Sequence, residues 1–243
     1  MINLTWFKSN YGNNWGDALN PILINKISNK EVKWIDFEED IPKYLCIGSI
    51  LEFSLPNTIV WGSGFLSSDR YLTYIPKNII AVRGPLSAKI LKERHNINVD
   101  IFGDPSYLYK DFYTPKFSKK YKLGIVPHYI DYQNVLKSNS DYRIINILDP
   151  INKVIDDICE CESIISSSLH GLIVAHMYNI PFHWVKFSNL VSGDDFKFYD
   201  WMSSAKFLQN PIYLNQVTNN IIRNCHLPDL KIDLKRLKES CPF

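Results

Sequence analysis

The sequence lacks a long apolar run. Nowhere in its 243 residues does an apolar stretch approach the roughly 18 residues that a membrane-spanning helix needs. The opening stretch, MINLTWFKSN, lacks the charged segment followed by an apolar core that marks a secretory signal peptide. We therefore expect a cytoplasmic protein, whose contact with a membrane would be peripheral association at the inner face.

An excess of charge of either sign is also missing. The chain has 27 Lys and Arg against 25 Asp and Glu, which gives a formal net charge of +2. Proteins that bind nucleic acid usually carry a strong basic excess, so this balance offers no electrostatic reason to expect a nucleic-acid partner.

Cysteines are few and unevenly placed. There are 5 of them, and only Cys159 and Cys161 are close in sequence. Their spacing suits neither a zinc knuckle nor a redox CxxC pair. We expect reduced thiols, no structural metal and no cofactor.

The remaining composition is that of a soluble globular protein, with 46% hydrophobic and 21% charged residues. Apolar strand-like runs end in small-residue turns and alternate with helical patterns, which is typical of parallel βαβ units. These runs cover residues 2–7, 32–37, 44–47, 58–61, 79–82 and 99–102, and then 123–126, 143–147, 163–165 and 182–187.

A polar, basic segment at 114–122 separates two similar halves. The sequence thus predicts an α/β fold with two Rossmann-like domains that have parallel sheets, 1–115 and 120–243. Ligands of such sheets lie beyond the carboxyl ends of the strands, so we expect a cleft between the domains. Two amphipathic helices are expected near the C-terminus, over 217–222 and 230–237.

The stretch from Ser163 to Lys186 predicts a strand, a sharp turn, a helix and a further strand. Ser168 offers a capping hydroxyl, and His170 falls in the first turn of a largely apolar helix. Free N–H groups at such a turn attract anions, and an imidazole can add a donor. The alternative is a structural histidine at a packing corner; His176, in the helix body, is expected in the core.

Other polar turns follow the predicted strands. In the Asn14, Gly16, Asp17 turn, Asp17 either caps a helix over 18–27 or faces a ligand. Arg83, between a strand and a helix that starts with proline, either grips a phosphate or carboxylate or makes a structural ion pair. Asp104 faces a cleft or braces its turn.

The turn at Gly62, Ser63 and Gly64 lacks the third glycine of the dinucleotide fingerprint, so it does not indicate NAD. His128 follows the first strand of the second half. The aromatic run at 196–201 is expected to belong to the core rather than to a sugar-stacking surface.

Together these segments resemble the polysaccharide pyruvyl transferase family. The resemblance rests on motifs in the family's order, namely Asn14-Trp15-Gly16-Asp17, Gly62-Ser63-Gly64, Val82-Arg83-Gly84-Pro85, Gly103-Asp104-Pro105, Ser167-Ser168-Leu169-His170-Gly171 and the run from Phe196 to Trp201. It implies a fold similar to GT-B glycosyltransferases. It also implies phosphoenolpyruvate as donor, and as acceptor a sugar of a surface glycan or of its lipid-linked precursor.

The resemblance further implies that Arg83, His170 and Lys186 surround phosphoenolpyruvate and converge on one pocket between the halves. We expect Arg83 and Lys186 to hold its phosphate and carboxylate, and His170 to assist departure of phosphate. Proton transfer then falls to Asp17, Asp104 or His128. The same motifs make Asn14, Gly16, Gly62, Ser63, Gly64, Ser168 and His128 candidate substrate-binding residues.

Two other functions fit the same pattern. One is a GT-B glycosyltransferase that uses a nucleotide sugar, since the architecture would permit it. The other is a glycan-binding scaffold that uses the aromatic run at 196–201 as its contact surface.

Overall fold

A computed structural model of the chain describes residues 1–8, 12, 14–138, 142–215, 217–229 and 231–243. It shows an α/β protein with two five-stranded sheets in which every strand pair is parallel. This confirms the predicted fold class. Likeness to GT-B enzymes and the domain limits 1–115 and 120–243 stay predictions.

The first sheet is built from the first half of the chain, in the order β2-β1-β3-β4-β5. Its strands are β1 (Ile2–Thr5), β2 (Val32–Trp34), β3 (Lys43–Leu45), β4 (Thr58–Trp61) and β5 (Asn78–Ala81). Its helices are α1 (Trp15–Ser28) and α2 (Pro85–His95), with short 3-10 helices at Leu51–Phe53 and Pro105–Asp111. Helix α2 starts with proline, as predicted, and asparagines in the left-handed conformation end both α-helices.

The second sheet has the order β10-β9-β8-β6-β7. Its strands are β6 (Tyr121–Val126), β7 (Arg143–Ile144), β8 (Cys161–Ser166), β9 (Phe182–Lys186) and β10 (Ile212–Tyr213). The helices of this half are α3 (Tyr132–Ser138), α4 (Ile151–Cys159), α5 (Leu169–Met177), α6 (Phe196–Ser204) and α7 (Leu234–Glu239), with a 3-10 helix at Asn219–Asn224.

One hydrophobic core runs through both halves. Trp15, Tyr107 and Trp201 are buried in the same cluster, although they come from distant parts of the chain. His176 lies in this core, as predicted: its Nδ1 is 2.7 Å from the hydroxyl of Tyr107.

The C-terminal helix returns to the first half. The indole Nε1 of Trp61 donates to the carbonyl oxygen of Leu237 at 3.2 Å, and Arg236 pairs with Asp100 at 2.7 Å. The last segment therefore closes over the first sheet instead of staying with the second.

One predicted strand is absent from the structure, and two predicted helices near the C-terminus differ from it. Residues 99–102 form no strand; only Phe102 bridges to Val82, and Gly103, whose φ is +143°, follows directly. The helix predicted over 217–222 is the 3-10 helix at Asn219–Asn224. The one predicted over 230–237 begins later, since Asp233 caps it by accepting from the backbone N–H of Arg236; residue 230 lies outside the described part.

In the described part of the chain, no helix has the length and apolar character that crossing a membrane requires.

Candidate active site

A cavity of about 250 Å³ lies between the two halves, at the carboxyl ends of both sets of strands. Residues that follow strands or begin helices form its wall. From the first half these are Phe7, Asn14, Asp17, Gly48, Ser49, Ile50, Phe53 and Leu66. From the second half they are His128, Tyr129, Ile147, Ser168, Leu169, His170, Ser192 and Lys197. We call this cavity the cleft.

Helix α5 points its N-terminus into the cleft. Ser168 occupies the capping position, but its side chain makes no capping hydrogen bond, so the N–H groups of the first turn stay open to a ligand. The turn before it is held in place, because the backbone N–H of Ser168 donates to Ser166 Oγ at 3.0 Å. The predicted anion-binding helix start is thus part of the cleft wall.

His170 projects from that first turn and lines the cleft. Its Nε2 lies 3.5 Å from Oδ2 of Asp104, an ion-pair distance that is long for a hydrogen bond. Asp104 does not line the cleft; it is buried behind His170 and accepts from the backbone N–H of Ser106 at 2.9 Å. Burial would raise the Asp104 pKa, but the interactions with His170 and Ser106 outweigh it and hold the pKa below its usual value.

Gly16 makes room for His170. A methyl group at this position would lie 2.1 Å from Cε1 of the imidazole, well inside van der Waals contact. The neighbouring Trp15 ring has its centroid 5.9 Å from that of His170. Gly16 therefore leaves the space that the imidazole occupies, and its role as a substrate-binding residue stays a prediction.

The turn before α1 differs from the predicted one. Asn14, not Asp17, caps the helix, by accepting from the backbone N–H of Gly16 at 3.1 Å. The helix starts at Trp15 because the indole of Trp15 is anchored by a hydrogen bond to the carbonyl oxygen of Ile151 at 3.1 Å. Residue 13 lies outside the described residues.

The early helix start leaves Asp17 on the cleft wall, where it accepts a hydrogen bond from the side-chain amide of Asn14. Burial raises the pKa of Asp17 to about 7, although the charges of His170 and Lys197 oppose the rise. A carboxyl group with this pKa can both accept and donate a proton near neutral pH.

Lys197, in the first turn of α6, is a cleft residue that the sequence did not reveal. Burial lowers its pKa to about 8; the nearby charge of Arg83 adds to this effect, while Asp195 and Asp17 oppose it. The run from Phe196 to Trp201 is expected in the core, and most of it is buried there. A lone lysine inside such an aromatic run is the signal that could have found this residue.

His128 also lines the cleft, and its backbone N–H donates to Ser167 Oγ at 2.9 Å. Burial and the charge of Lys197 lower the pKa of His128 to about 3. Its imidazole is therefore neutral at ordinary pH and can serve as a hydrogen-bond partner but not as a cation.

The structure does not bring Arg83, His170 and Lys186 together on the cleft wall. Of the three, only His170 lines the cleft. Arg83 is buried and pairs with Asp200 at 3.0 Å, whereas Lys186 pairs with Asp195 and lies 3.4 Å from the hydroxyl of Tyr213. Both cations are thus engaged by a carboxylate, and a direct contact of either with the donor stays a prediction.

The turn at Gly62, Ser63 and Gly64 lies behind the cleft wall. Ser63 Oγ donates to the carbonyl oxygen of Gly48 at 2.9 Å, and the backbone N–H of Gly64 donates to the same oxygen at 3.1 Å. Gly48 lines the cleft, so these residues brace the wall rather than form it. Gly62 has a φ of +97° and no room for a side chain beside Pro105.

The five cysteines are free thiols, as expected. Within the described ranges, no group of three or more His, Cys, Asp or Glu side chains is placed to hold a metal ion.

Comparison with known proteins identifies the family to which the chain belongs. The pattern of the family described as "Polysaccharide pyruvyl transferase" matches residues 10–189. The chain belongs to the polysaccharide pyruvyl transferase family. This confirms the resemblance that its motifs indicated.

Two relatives extend the match. A protein of Acanthamoeba polyphaga mimivirus, described as uncharacterized, is 30% identical over 236 residues, which cover 90% of this chain and 82% of the relative. The succinoglycan biosynthesis protein ExoV of Rhizobium meliloti (strain 1021) is 28% identical over 221 residues, which cover 85% of this chain and 66% of ExoV. Both matches run through the two halves that form the cleft.

Proposed function

We propose that this chain transfers pyruvate from phosphoenolpyruvate onto two hydroxyl groups of one sugar, which forms a cyclic pyruvate ketal and releases phosphate. The acceptor is a sugar of a surface polysaccharide or of its lipid-linked precursor. Membership of the family supports a polysaccharide acceptor, and the relative named for succinoglycan biosynthesis supports a place in polysaccharide synthesis.

The observation that carries the proposal is that the two walls of the cleft supply different chemical groups. Lys197, His170 and the open N-terminus of α5 come from the second half, and Asp17 faces them from the first. Phosphoenolpyruvate carries a phosphate and a carboxylate, so it needs a cation and N–H donors, which the second half supplies. The sugar needs a base for its hydroxyl groups, which the first half supplies.

In the first step, a sugar hydroxyl oxygen bonds to C2 of phosphoenolpyruvate. Asp17 takes the proton of that hydroxyl and passes it to the C3 methylene, which becomes a methyl group. The product is a tetrahedral adduct that still carries phosphate. A carboxyl group whose pKa is about 7 is available in both protonation states near neutral pH, so it can accept the hydroxyl proton as the new bond forms and then donate it.

In the second step, a neighbouring hydroxyl oxygen of the same sugar bonds to C2, and the bond from C2 to the phosphate oxygen breaks. Asp17 again accepts the hydroxyl proton. His170, oriented by Asp104, gives a proton to the departing phosphate, and Lys197 stabilises its charge. Exchange with water then resets Asp17 and His170.

The acceptor enters over Phe7 and Phe53 in this proposal. Both rings line the first-half wall and remain 46% and 47% exposed, so they are accessible to a ligand in the cleft. Aromatic rings present an apolar surface on which the CH face of a sugar can pack.

The decisive experiment incubates the purified protein with phosphoenolpyruvate and a panel of synthetic or lipid-linked glycosides. We expect phosphate release that depends on an acceptor, together with the mass gain of a pyruvate ketal on that acceptor. His170→Asn should abolish both signals, whereas the exposed His226→Asn should keep them.

Two outcomes would point to the other functions. Stabilisation by UDP or CMP but not by phosphoenolpyruvate in a thermal-shift assay would favour a nucleotide-sugar glycosyltransferase. Glycan binding with no phosphate release from any acceptor would favour a scaffold protein.

A further inference from the structure

The carboxylate of Asp200 joins the two halves of the molecule. Asp200 belongs to α6, is fully buried and accepts from Nε of Arg83 at 3.0 Å, with Nη2 of Arg83 also at 3.0 Å. Ser87 of α2 adds two bonds, from its backbone N–H at 2.9 Å and from its hydroxyl at 2.7 Å. All these partners come from the first half, more than a hundred residues away in the chain.

The segment Arg83-Gly84-Pro85 leaves space for α6 to approach closely. A methyl group on Gly84 would lie 1.9 Å from the carbonyl oxygen of Asp200, and one on Gly64 would lie 2.6 Å from Cζ of Arg83. The φ of Gly84 is −158°, an extended value that any residue adopts, so close approach and not backbone strain requires glycine here. The motif thus fits the backbone of α6 as well as its carboxylate.

The same arginine reaches two further parts of the cleft wall. Its Nη1 donates to Ser49 Oγ at 2.6 Å, and its Nη2 donates to the carbonyl oxygen of Phe65 at 2.7 Å. Ser49 lines the cleft, as does Leu66, the residue after Phe65.

Lys197 precedes Asp200 by three residues, close to one helical turn, so both side chains leave α6 on similar sides. While Asp200 is held by the first half, Lys197 is directed into the cleft. A shift of α6 would move the ammonium group away from the donor.

We propose that Arg83 is a positioning residue, which forms with Asp200 a joint between the halves that holds Lys197 and Ser49 against the donor. The donor's identity in this proposal rests on the proposed function. The guanidinium acts through Lys197 because it is buried, neutralised by Asp200 and bonded to Ser49 and Phe65.

The first test measures binding of phosphoenolpyruvate to Arg83→Met, Asp200→Asn and the double variant by calorimetry. The joint predicts that each single change raises the dissociation constant by about tenfold or more, since small displacements of a binding group are costly. It also predicts that the double variant is no weaker than the singles, because both changes break the same joint. A direct contact of Arg83 with the donor predicts weak binding by Arg83→Met and undiminished binding by Asp200→Asn, which would overturn the proposal.

The second test needs no substrate. Acetic anhydride modifies accessible lysines, and mass spectrometry of the peptides follows Lys197 against the exposed Lys89, whose side chain is 67% exposed. Faster modification of Lys197 in all three variants, with Lys89 unchanged, is the expected result. Modification of Lys197 at the wild-type rate would overturn the joint.

The pH at which labelling is compared must be fixed, because Arg83, Asp195, Asp17 and His128 all act electrostatically with Lys197. Exposure would move the Lys197 pKa back toward its ordinary value of 10.5, so labelling is compared above that pH, where the amine is largely uncharged in wild type and variants alike.

The two tests separate the joint from the function. If wild-type protein transfers no pyruvate but Lys197 still becomes reactive in the variants, the proposed function fails and the joint stands. If the wild type transfers pyruvate but Lys197 labelling is unchanged in the variants, the function stands and the joint fails. If a single variant does not fold, both measurements are made on the double variant. It lacks both the guanidinium and the carboxylate, so no buried charge of this pair is left without its partner.

Discussion

Nε2 of His170 lies 3.5 Å from Oδ2 of Asp104, and this pair crosses the boundary between the two halves of the molecule. Asp104 caps the 3-10 helix at Pro105–Asp111, and His170 lies in the first turn of α5. The buried carboxylate thus lies beside a ring that faces the cleft, at a distance longer than that of a hydrogen bond. A positioned carboxylate behind a catalytic histidine is a common way to fix which ring nitrogen faces the substrate.

Asp104→Asn tests this relationship. The amide keeps the size of the side chain but removes its charge, so we expect kcat to fall by about 100-fold while the KM for phosphoenolpyruvate changes little. Initial rates of phosphate release over a range of donor concentrations measure both values.

The matched control is Asp111→Asn, a change to a half-exposed carboxylate that pairs with Lys238 at the surface. A kcat for Asp104→Asn equal to that of this control would show that the pair has no role in turnover.

The sequence predicted the architecture because each strand carries a local signal. Apolar runs that end in small-residue turns occur at β3, β4 and β8, and the parallel sheets follow from the alternation of such runs with helices. The missed elements are those that depend on distant contacts. Residues 99–102 pair only through the bridge from Phe102 to Val82, which is distant in the chain, and no local pattern reports that.

The site was predicted in part for the same reason. His170 and Ser168 follow from a helix start, which is local, and both line the cleft. The sequence pointed to Lys186 as the cation, and only the packing of α6 against α2 shows that Lys197 lines the cleft instead. Likewise, the burial of Asp200 beside Arg83 involves residues 117 positions apart.

Gly16→Ala should lower activity but leave thermal stability nearly unchanged. The added methyl group would lie 2.1 Å from Cε1 of His170, so the imidazole must move out of its present position. Alanine is nevertheless the better helix former, by about 1 kcal/mol inside a helix. We expect kcat to fall by about tenfold or more, with a melting temperature near that of the wild type.

A useful control for this change is Lys26→Ala, which lies on the exposed side of the same helix and should alter neither quantity. Wild-type kcat in Gly16→Ala would mean that His170 tolerates displacement and therefore does not act at a fixed position.

Phe53→Ala should weaken binding of the sugar acceptor without affecting binding of the donor. Phe53 lines the first-half wall, opposite Lys197 and His170, so its loss should raise the KM for the acceptor by roughly tenfold and leave the KM for phosphoenolpyruvate unchanged. Tyr74→Ala removes an aromatic ring of similar exposure outside the cleft and serves as control. An increase confined to the donor KM would place the donor, not the sugar, on this wall.

The pH dependence of kcat/KM should be bell-shaped. Asp17 must be ionised to act as base, which gives an acid limb near its pKa of about 7, and Lys197 must be charged, which gives an alkaline limb near its pKa of about 8. The two groups interact, so the limbs report the pair.

Lys197→Met should remove the alkaline limb. It should also move the acid limb to higher pH, because the Lys197 charge lowers the Asp17 pKa. Lys89→Met, on the surface of α2, should leave both limbs in place. An unchanged alkaline limb in Lys197→Met would assign that limb to another group.

Ionisation of Asp17 should lower the free energy of unfolding as the pH rises. Its folded-state pKa of about 7 lies above the ordinary value of 3.8, so between these values the folded state binds more protons than the unfolded state. The stability that the protonated carboxyl contributes is complete below pH 3.8 and is lost progressively up to about pH 7. The loss amounts to at most about 4 kcal/mol.

Urea unfolding of wild type and Asp17→Asn at pH 4 and pH 8 measures this effect. Asparagine is never ionised, so the variant should gain stability relative to the wild type as the pH rises, while it loses the base needed for transfer. Asp229→Asn, at a side chain that is 87% exposed, should show no such gain. If the difference between Asp17→Asn and wild type were the same at both pH values, the carboxyl would titrate at its ordinary pKa, and Asp17 could not be the group that exchanges protons near neutral pH.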